Sequence, residues 1–285
     1  MAVTSTGYFY RDALLVSESA KILGKDGDAR TYAELAENIR RSFRKAFLRR
    51  DGTVDNNSQT ALSCALFQEL AAPEERKAIL DKLAKDVEDR GGHLTTGTLG
   101  AKYLFRALSE NGRNDLAYRL AVQTTPPSYG SWIDRGATTL WEDWDDGLSR
   151  NHIALGDISA WFYQYLAGIN ADPGQPAFKH IIFRPRPVGN LTFVKAWHDS
   201  PYGRIRSEWK IEEQRFHWRI VVPPNASATV FVPAGDASSV WEGDRPANRS
   251  EGIQYLRQEA GNAVYEVQSG TYLFASPYSP PGETR

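Results

Sequence analysis

The chain has 285 residues, 41% of them hydrophobic, and 34 Lys+Arg against 35 Asp+Glu leave a formal net charge of −1. That length supports a large core and two domains, and nothing in the overall charge balance suggests a nucleic-acid or membrane partner. A single cysteine, Cys64, excludes an internal disulfide, and no apolar run is long enough to span a bilayer.

The first residues, Met1 to Ser5, lack the basic and hydrophobic pattern of a secretory signal, so the expected compartment is the cytoplasm. The sequence enters a helical pattern at once, as a boundary cut into a longer polypeptide also would. Tyr8, Leu15 and Ile22 recur every seven residues up to Gly24 and predict a first helix. Tyr32, Leu35, Ala36, Ile39, Phe43, Ala46 and Phe47 form the apolar stripe of a second, with Asp26 or Asp28 as its N-cap. A polar turn around Asp51-Gly52 leads to a third helix bearing Leu62, Ala65, Leu66 and Leu70, in which Cys64 reads as a core thiol. Pro73, Glu74 and Glu75 are first-turn residues for a fourth helix, carried on by Ile79, Leu80, Leu83 and Val87 and ended by Gly91-Gly92. GGHLTTGTLG precedes a fifth helix through Tyr103, Leu104, Ala107 and Leu108, and NGRN precedes a sixth through Leu116 and Leu120.

A tryptophan-rich loop from Tyr129 to His152 follows, and then a seventh helix striped by Ile158, Trp161, Phe162, Tyr165, Leu166 and Ile169. Beyond it the period changes. ADPGQPAF reads as a linker, and LTFVKAW, RIRSEWKI, FHWRIVV, ATVFV, VYEV and TYLFA alternate every two residues, which predicts an antiparallel sandwich of roughly eight strands. The predicted organisation is a helical domain over 1–170, a β-sandwich over 171–280 and a tail over 281–285. Trp197, Trp209, Trp218 and Trp241 read as core or domain-interface residues of the sandwich rather than as a sugar platform.

The chemistry concentrates in YGSWIDRGATTLWEDWDDGLSRNH. Trp132, Trp141 and Trp144 stand there among Asp134, Glu142, Asp143, Asp145 and Asp146. Aromatic faces suit the C–H groups of a sugar ring, and carboxylates suit its hydroxyls and proton transfer. Glu142, between Trp141 and Trp144, is the candidate acid–base residue, since aromatic neighbours would partly desolvate its carboxylate; the competing reading is a carboxylate on a solvated loop. His152 could hydrogen-bond a sugar hydroxyl or Glu142, or be a helix-start residue bonded to backbone. His93, between glycines, could lie against a ligand or simply occupy a turn. The histidines are scattered and there is no phosphate loop or Gly-x-Ser-x-Gly elbow, so no metal or cofactor is expected.

Several of these pieces carry a resemblance. GGHLTTG, YLFRALSENGRNDLAYRL, PSYGSWIDRGATTLWEDWD, SRNH, WFYQYLAGI and HIIFRPRPVGNLTFVKAWHDSPYGRI together resemble the C-terminal half of bacterial α-L-rhamnosidases of glycoside hydrolase family 78. The resemblance implies a partial (α/α)6 barrel of about seven helices followed by an antiparallel β-sandwich, and hydrolysis of terminal α-L-rhamnosides with inversion. It implies Glu142 as general base, and His152, Trp141, Trp132 and His93 as residues at the sugar site. The family's general acid lies in an acidic Gly-Asp stretch upstream, and nothing before Gly91 resembles it. Twelve helices would need about 300 residues, so some 170 make about half a barrel. The half-barrel is therefore expected to be weakly active or inactive alone, and to hide its open apolar faces by self-association or against a chain carrying the missing half. The competing readings are a non-catalytic carbohydrate-binding or assembly module, and another (α/α)6 sugar enzyme such as a glycoside phosphorylase.

Overall fold

The structure is a computed structural model that describes residues 2–145 and 147–279; Asp146 and the expected tail over 281–285 lie outside the described residues. The chain divides into two compact units, Met1–Ile158 and Ser159–Arg285. The first is helical and the second is built mainly of strands.

In the helical unit α1 (Ala2–Ile22) and α2 (Asp26–Phe47) pack as an antiparallel pair, followed by α3 (Gln59–Phe67), α4 (Pro73–Asp89), α5 (Thr98–Glu110), α6 (Asn114–Ala121) and the short α7 (Tyr129–Asp134). The dense part is α3 against α5. Leu62, Cys64, Ala65 and Leu66 meet Tyr103, Leu104, Phe105, Ala107 and Leu108, all fully buried. Burial pushes the Cys64 thiol up to about 12, as the core reading of that residue requires. Glu75, in the first turn of α4, accepts from the Ala72 N–H at 2.8 Å and receives a two-pronged contact from Arg44 of α2.

Three local expectations need correction. The seven-residue series in α1 is not its buried face: Val3, Gly7, Tyr10, Ala13 and Ala20 go inward, whereas Leu15 is 45% and Ile22 85% exposed. Asp26 and Asp28 sit inside the first turn of α2, where they complement the helix dipole, and Lys25 occupies the N-cap without a side-chain bond. The seventh predicted helix is interrupted: α8 (Asp157–Trp161) opens into a π-helical turn over Phe162–Leu166 and the chain then enters a strand. No helix among the described residues is long and apolar enough to cross a membrane.

Among its described residues the second unit contains eleven strands: β1 (Ile169–Ala171), β2 (His180–Phe183), β3 (Phe193–Ser200), β4 (Gly203–Glu212), β5 (Arg215–Val222), β6 (Ser227–Pro233), β7 (Trp241–Glu242), β8 (Arg245–Pro246), β9 (Ile253–Glu259), β10 (Asn262–Val267) and β11 (Gly270–Pro277). One sheet has the order β1-β2-β6-β10-β9 and the other β3-β4-β5-β11-β7-β8. All neighbours are antiparallel except β2 with β6. The excess over eight strands comes largely from two- and three-residue pieces, too short to show alternation. The linker-like ADPGQPAF is the connection between β1 and β2. The inner faces close over Phe183, Trp209, Phe216, Trp218, Tyr265 and Phe274. The indole N–H of Trp209 donates to the Leu166 carbonyl at 2.7 Å and that of Trp218 to Ser207 Oγ at 2.9 Å, so both buried donors are satisfied.

Candidate active site

The tryptophan-rich stretch is not a plain loop. Ser128 caps α7, its Oγ accepting from the Ser131 N–H at 3.0 Å, and a six-residue helix turns Tyr129 and Trp132 inward together. Gly130 is required there, because a Cβ would lie 2.4 Å from the Gln123 carbonyl oxygen. Tyr129 and Trp132 meet edge-on at 5.3 Å, Trp132 stacks on Trp144 at 4.8 Å, and Trp141 lies 5.7 Å from Trp132. Trp132 and Trp141 are almost entirely buried and Trp144 partly so. The Arg135 and Arg150 guanidiniums lie over the Trp141 ring at 4.8 and 5.3 Å.

Above this stack two segments run as a short ladder. The Glu142 N–H donates to the Ser149 carbonyl and the His152 N–H to the Leu140 carbonyl, each at 2.9 Å, and Thr139 Oγ1 donates to the Arg150 carbonyl. Glu142 and His152 are thereby brought alongside each other from ten residues apart. Glu142 Oε1 stands 4.0 Å from His152 Nε2, with 33% and 43% of the two side chains exposed. His152 Nδ1 accepts from the Ala154 N–H at 2.9 Å as the cap of a 3-10 turn over Ile153–Leu155. In the neutral ring the proton is therefore on Nε2, the nitrogen that faces Glu142. The other carboxylate oxygen, Oε2, accepts from the Ser149 N–H at 3.3 Å.

The structure thus joins Glu142, His152 and Trp141 in one hairpin and puts Trp132 beneath it. Asp143 turns back to accept from the Gly147 N–H, and Asp145 is exposed. His93 is tied to neighbouring segments: Nδ1 contacts the Arg90 carbonyl at the end of α4 at 2.8 Å and Nε2 the Thr125 hydroxyl at 2.7 Å, so both ring nitrogens have protein partners. Two residues were not singled out from sequence. Gln59, fully buried, clamps the GGHLTTG loop by donating to Asp86 and the His93 carbonyl and accepting from the Thr95 N–H. The next residue of that loop, Thr96, takes the Trp144 indole N–H on its carbonyl at 2.6 Å, which ties the loop to the aromatic stack. Asp157 is the other. Burial pushes its carboxyl above the usual range, against the pull of Arg106 and Lys102, and its Oδ2 has no partner among the described residues. An Asp at a helix start reads from sequence as an ordinary dipole partner, which is why Asp157 did not stand out.

Residues 1–166 match the bacterial alpha-L-rhamnosidase 6 hairpin glycosidase domain, and residues 168–245 match the bacterial alpha-L-rhamnosidase C-terminal domain. The chain belongs to the bacterial α-L-rhamnosidase family. Among its relatives, an α-L-rhamnosidase of Streptomyces avermitilis is 37% identical over 283 residues, and one of Formosa agariphila is 31% identical over 290 residues. These alignments take in 95% and 98% of this chain but 26% and 31% of those proteins, so the chain spans about a quarter to a third of the curated relatives it matches. Solved structures agree. The S. avermitilis α-L-rhamnosidase complexed with L-rhamnose superposes with a TM-score of 0.88 at 35% identity, covering 96% of this chain and 26% of that one. The α-L-rhamnosidase of Dictyoglumus thermophilum superposes with a TM-score of 0.86 at 36% identity, covering 95% and 31%. The order of a six-hairpin helical part followed by a C-terminal β-sandwich is that of this rhamnosidase family.

Proposed function

We propose that this chain is the C-terminal portion of an inverting α-L-rhamnosidase, with Glu142 as general base for hydrolysis of terminal rhamnosides. The observation that carries the reading is the Glu142–His152 pair, a half-exposed carboxylate set beside an imidazole whose proton is directed to it. An inverting glycosidase needs one carboxylate that takes a proton from water and a second, across the scissile bond, that gives one to the leaving oxygen. Glu142 would serve as the first. His152 Nε2–H would bond the ionised base or a sugar hydroxyl, and Trp141 with Trp132 would hold the wall on which both stand. His93 would act through its loop, which reaches the site by way of Thr96 and Trp144.

The general acid comes from outside the chain in this reading, so the 285 residues alone are weakly active or inactive. The exposed row along α1 and just past its end, with Phe9, Leu15, Val16, Ile22 and Leu23 between 42% and 85% exposed, is where a second half-barrel or a second copy would pack. Cytoplasmic residence is part of the proposal, and the unpaired, buried Cys64 is compatible with a reducing compartment.

Hydrolysis of an aryl α-L-rhamnoside tests the assignment, with the chain alone and then combined with the upstream part of a related enzyme. Complementation should restore turnover with release of the inverted anomer by NMR, and Glu142→Gln should abolish it. Robust turnover that persists in Glu142→Gln would sink the base assignment. A second reading, a non-catalytic rhamnose-binding module, draws on the local bonding of Asp143, which removes the neighbouring carboxylate from play. Calorimetric binding of rhamnose, lost in Trp141→Ala, without hydrolysis in any combination would favour it.

A further inference from the structure

The outer face of the six-stranded sheet carries side chains to which the proposed rhamnosidase reading gives no role. Its rungs are set by register. Phe193, Lys210, His217, Ala275 and Trp241 line up across β3, β4, β5, β11 and β7, and Lys195, Glu208, Arg219 and Leu273 form the next rung. The inward residues of the same strands, Trp209, Trp218 and Phe274, are buried, so alternation puts all of the first set on one side. Trp197 continues that face on β3.

Of the four sandwich tryptophans expected in a core or interface, Trp209 and Trp218 are core, whereas Trp197 and Trp241 are 51% and 41% exposed. Phe193 is 60% and Leu273 52% exposed. Between Phe193 on one flank and Trp241 on the other lies an open groove of about 1080 Å³, floored by the small Ala275. Four strand spacings separate those two rings, about 19 Å. That length suits a chain of several sugar rings better than one. The strand that bears Trp241 is fixed to β11, where Trp241 pairs with Ala275, the Leu273 N–H donates to Glu242 Oε1 at 3.3 Å and the Gly243 N–H to the Leu273 carbonyl at 3.0 Å.

Charge selects among possible occupants. The groove is lined by four cations, Lys195, Lys210, Arg215 and Arg219, against two carboxylates, Glu208 and Glu212. Arg219 contacts Glu208 at 3.3 Å and Lys210 contacts Glu212 at 2.6 Å, which accounts for both acids. Lys195 and Arg215, both exposed, have no ion pair among the described residues. In a chain of net charge −1, a groove with two uncompensated cations is a local feature, set in the same surface as two exposed aromatic rings.

The geometry points to a second carbohydrate site on this sheet face, one that holds an anionic oligosaccharide of the uronate-bearing kind. Phe193 and Trp241 supply apolar faces for ring C–H groups, and Lys195 and Arg215 pair with carboxylates along the sugar chain. The site lies wholly within the second unit. It stands whether or not the helical unit takes part in rhamnoside hydrolysis.

Calorimetric titration of the 285-residue chain with a short galacturonate oligomer tests this, beside a neutral galactose oligomer of equal length and a single-stranded oligonucleotide of comparable charge. The expected result is binding of the galacturonate oligomer at low salt that weakens at high salt, with at least tenfold weaker binding of the neutral sugar. Trp241→Ala should weaken it by about tenfold. Lys195→Glu combined with Arg215→Glu should abolish it. All three positions are exposed on strands whose buried faces are untouched, and an unchanged thermal midpoint checks that the variants fold. Absence of galacturonate binding, equal binding of the neutral sugar, or tighter binding of the oligonucleotide would each overturn the proposal. Rhamnose binding, read separately and altered by Trp141→Ala but not by Trp241→Ala, keeps its failure distinct from that of the rhamnosidase reading.

Discussion

The two units differ in how they dispose of their apolar surface. The sandwich closes on itself: its inner faces meet around Phe183, Trp209, Phe216, Trp218 and Phe274, and the indole donors inside find acceptors. The helical unit does not. Its centre, α3 against α5, is as fully buried as the middle of the sandwich, yet α1 leaves a whole row of large apolar side chains outward. A sheet can hide one face behind a second sheet of the same chain, but a run of paired helices that stops short of a ring has an open flank. The sandwich should therefore hold by itself, whereas the helical unit should respond to whatever covers α1.

That contrast can be broken or sharpened by experiment, and the largest effect expected is on activity. In a complemented enzyme, Glu142→Gln should lower kcat by ~10²–10⁴-fold with little change in melting temperature. A large loss of stability instead would make Glu142 a structural member of its hairpin.

Next in size are the cores. Trp218→Ala should cost about 3–5 kcal/mol in a denaturant titration, because it empties the middle of the sandwich; Ser207 loses the bond it accepts from the indole but still donates to the Ala167 carbonyl. Ile22→Lys with Leu15→Lys, on the open flank of α1, should change the stability of the dilute chain by no more than about 0.5 kcal/mol. The same pair should reduce the apparent mass of the concentrated chain in light scattering. A core-sized loss of stability from that pair would mean that α1 is already covered and would erase the contrast.

Smaller effects are expected beneath the candidate site. Trp144→Phe should cost about 1 kcal/mol, since it takes the indole donor from the Thr96 carbonyl. Trp132→Phe removes an indole N–H that has no partner among the described residues, so its cost should be one of volume alone. Asp157→Asn should stabilise the chain at neutral pH. The folded state holds the Asp157 carboxyl above its ordinary value of 3.8, so the folded chain binds a proton more readily than the unfolded one. Stability is therefore lost as pH rises from 3.8 through the raised value, and the Asn variant, which has no proton to lose, escapes that loss. Its advantage in thermal midpoint should vanish below that window.

Much of the fold is legible in the residues. Ala36, Ile39 and Phe43 in α2, Pro73 at the head of α4, and the two-residue alternation of β4, β5 and β11 are local signals that the structure keeps, because burial of one stripe or one face dictates them. What misled was α1, where seven-residue spacing marks an apolar line without saying whether anything in this chain covers it. The short helix α7 was hidden in an aromatic-rich stretch whose period is too brief to read. At the candidate site, Glu142 and His152 were nameable as residue types suited to sugar chemistry, and their meeting was one of the alternatives open for His152, among which spacing alone could not choose.

The sequence by itself determined the order of helices then strands, the change of period after Ile169, and the family to which the chain belongs, since these rest on local propensity and on short motifs. Tertiary structure alone decided the rest. It put Trp132 under the hairpin and Trp241 in the open. It set the His152 proton toward Glu142 through a bond from Ala154, and it left one flank of α1 uncovered. Each of these depends on which distant segment packs against a residue, and residue spacing along one chain carries no record of that.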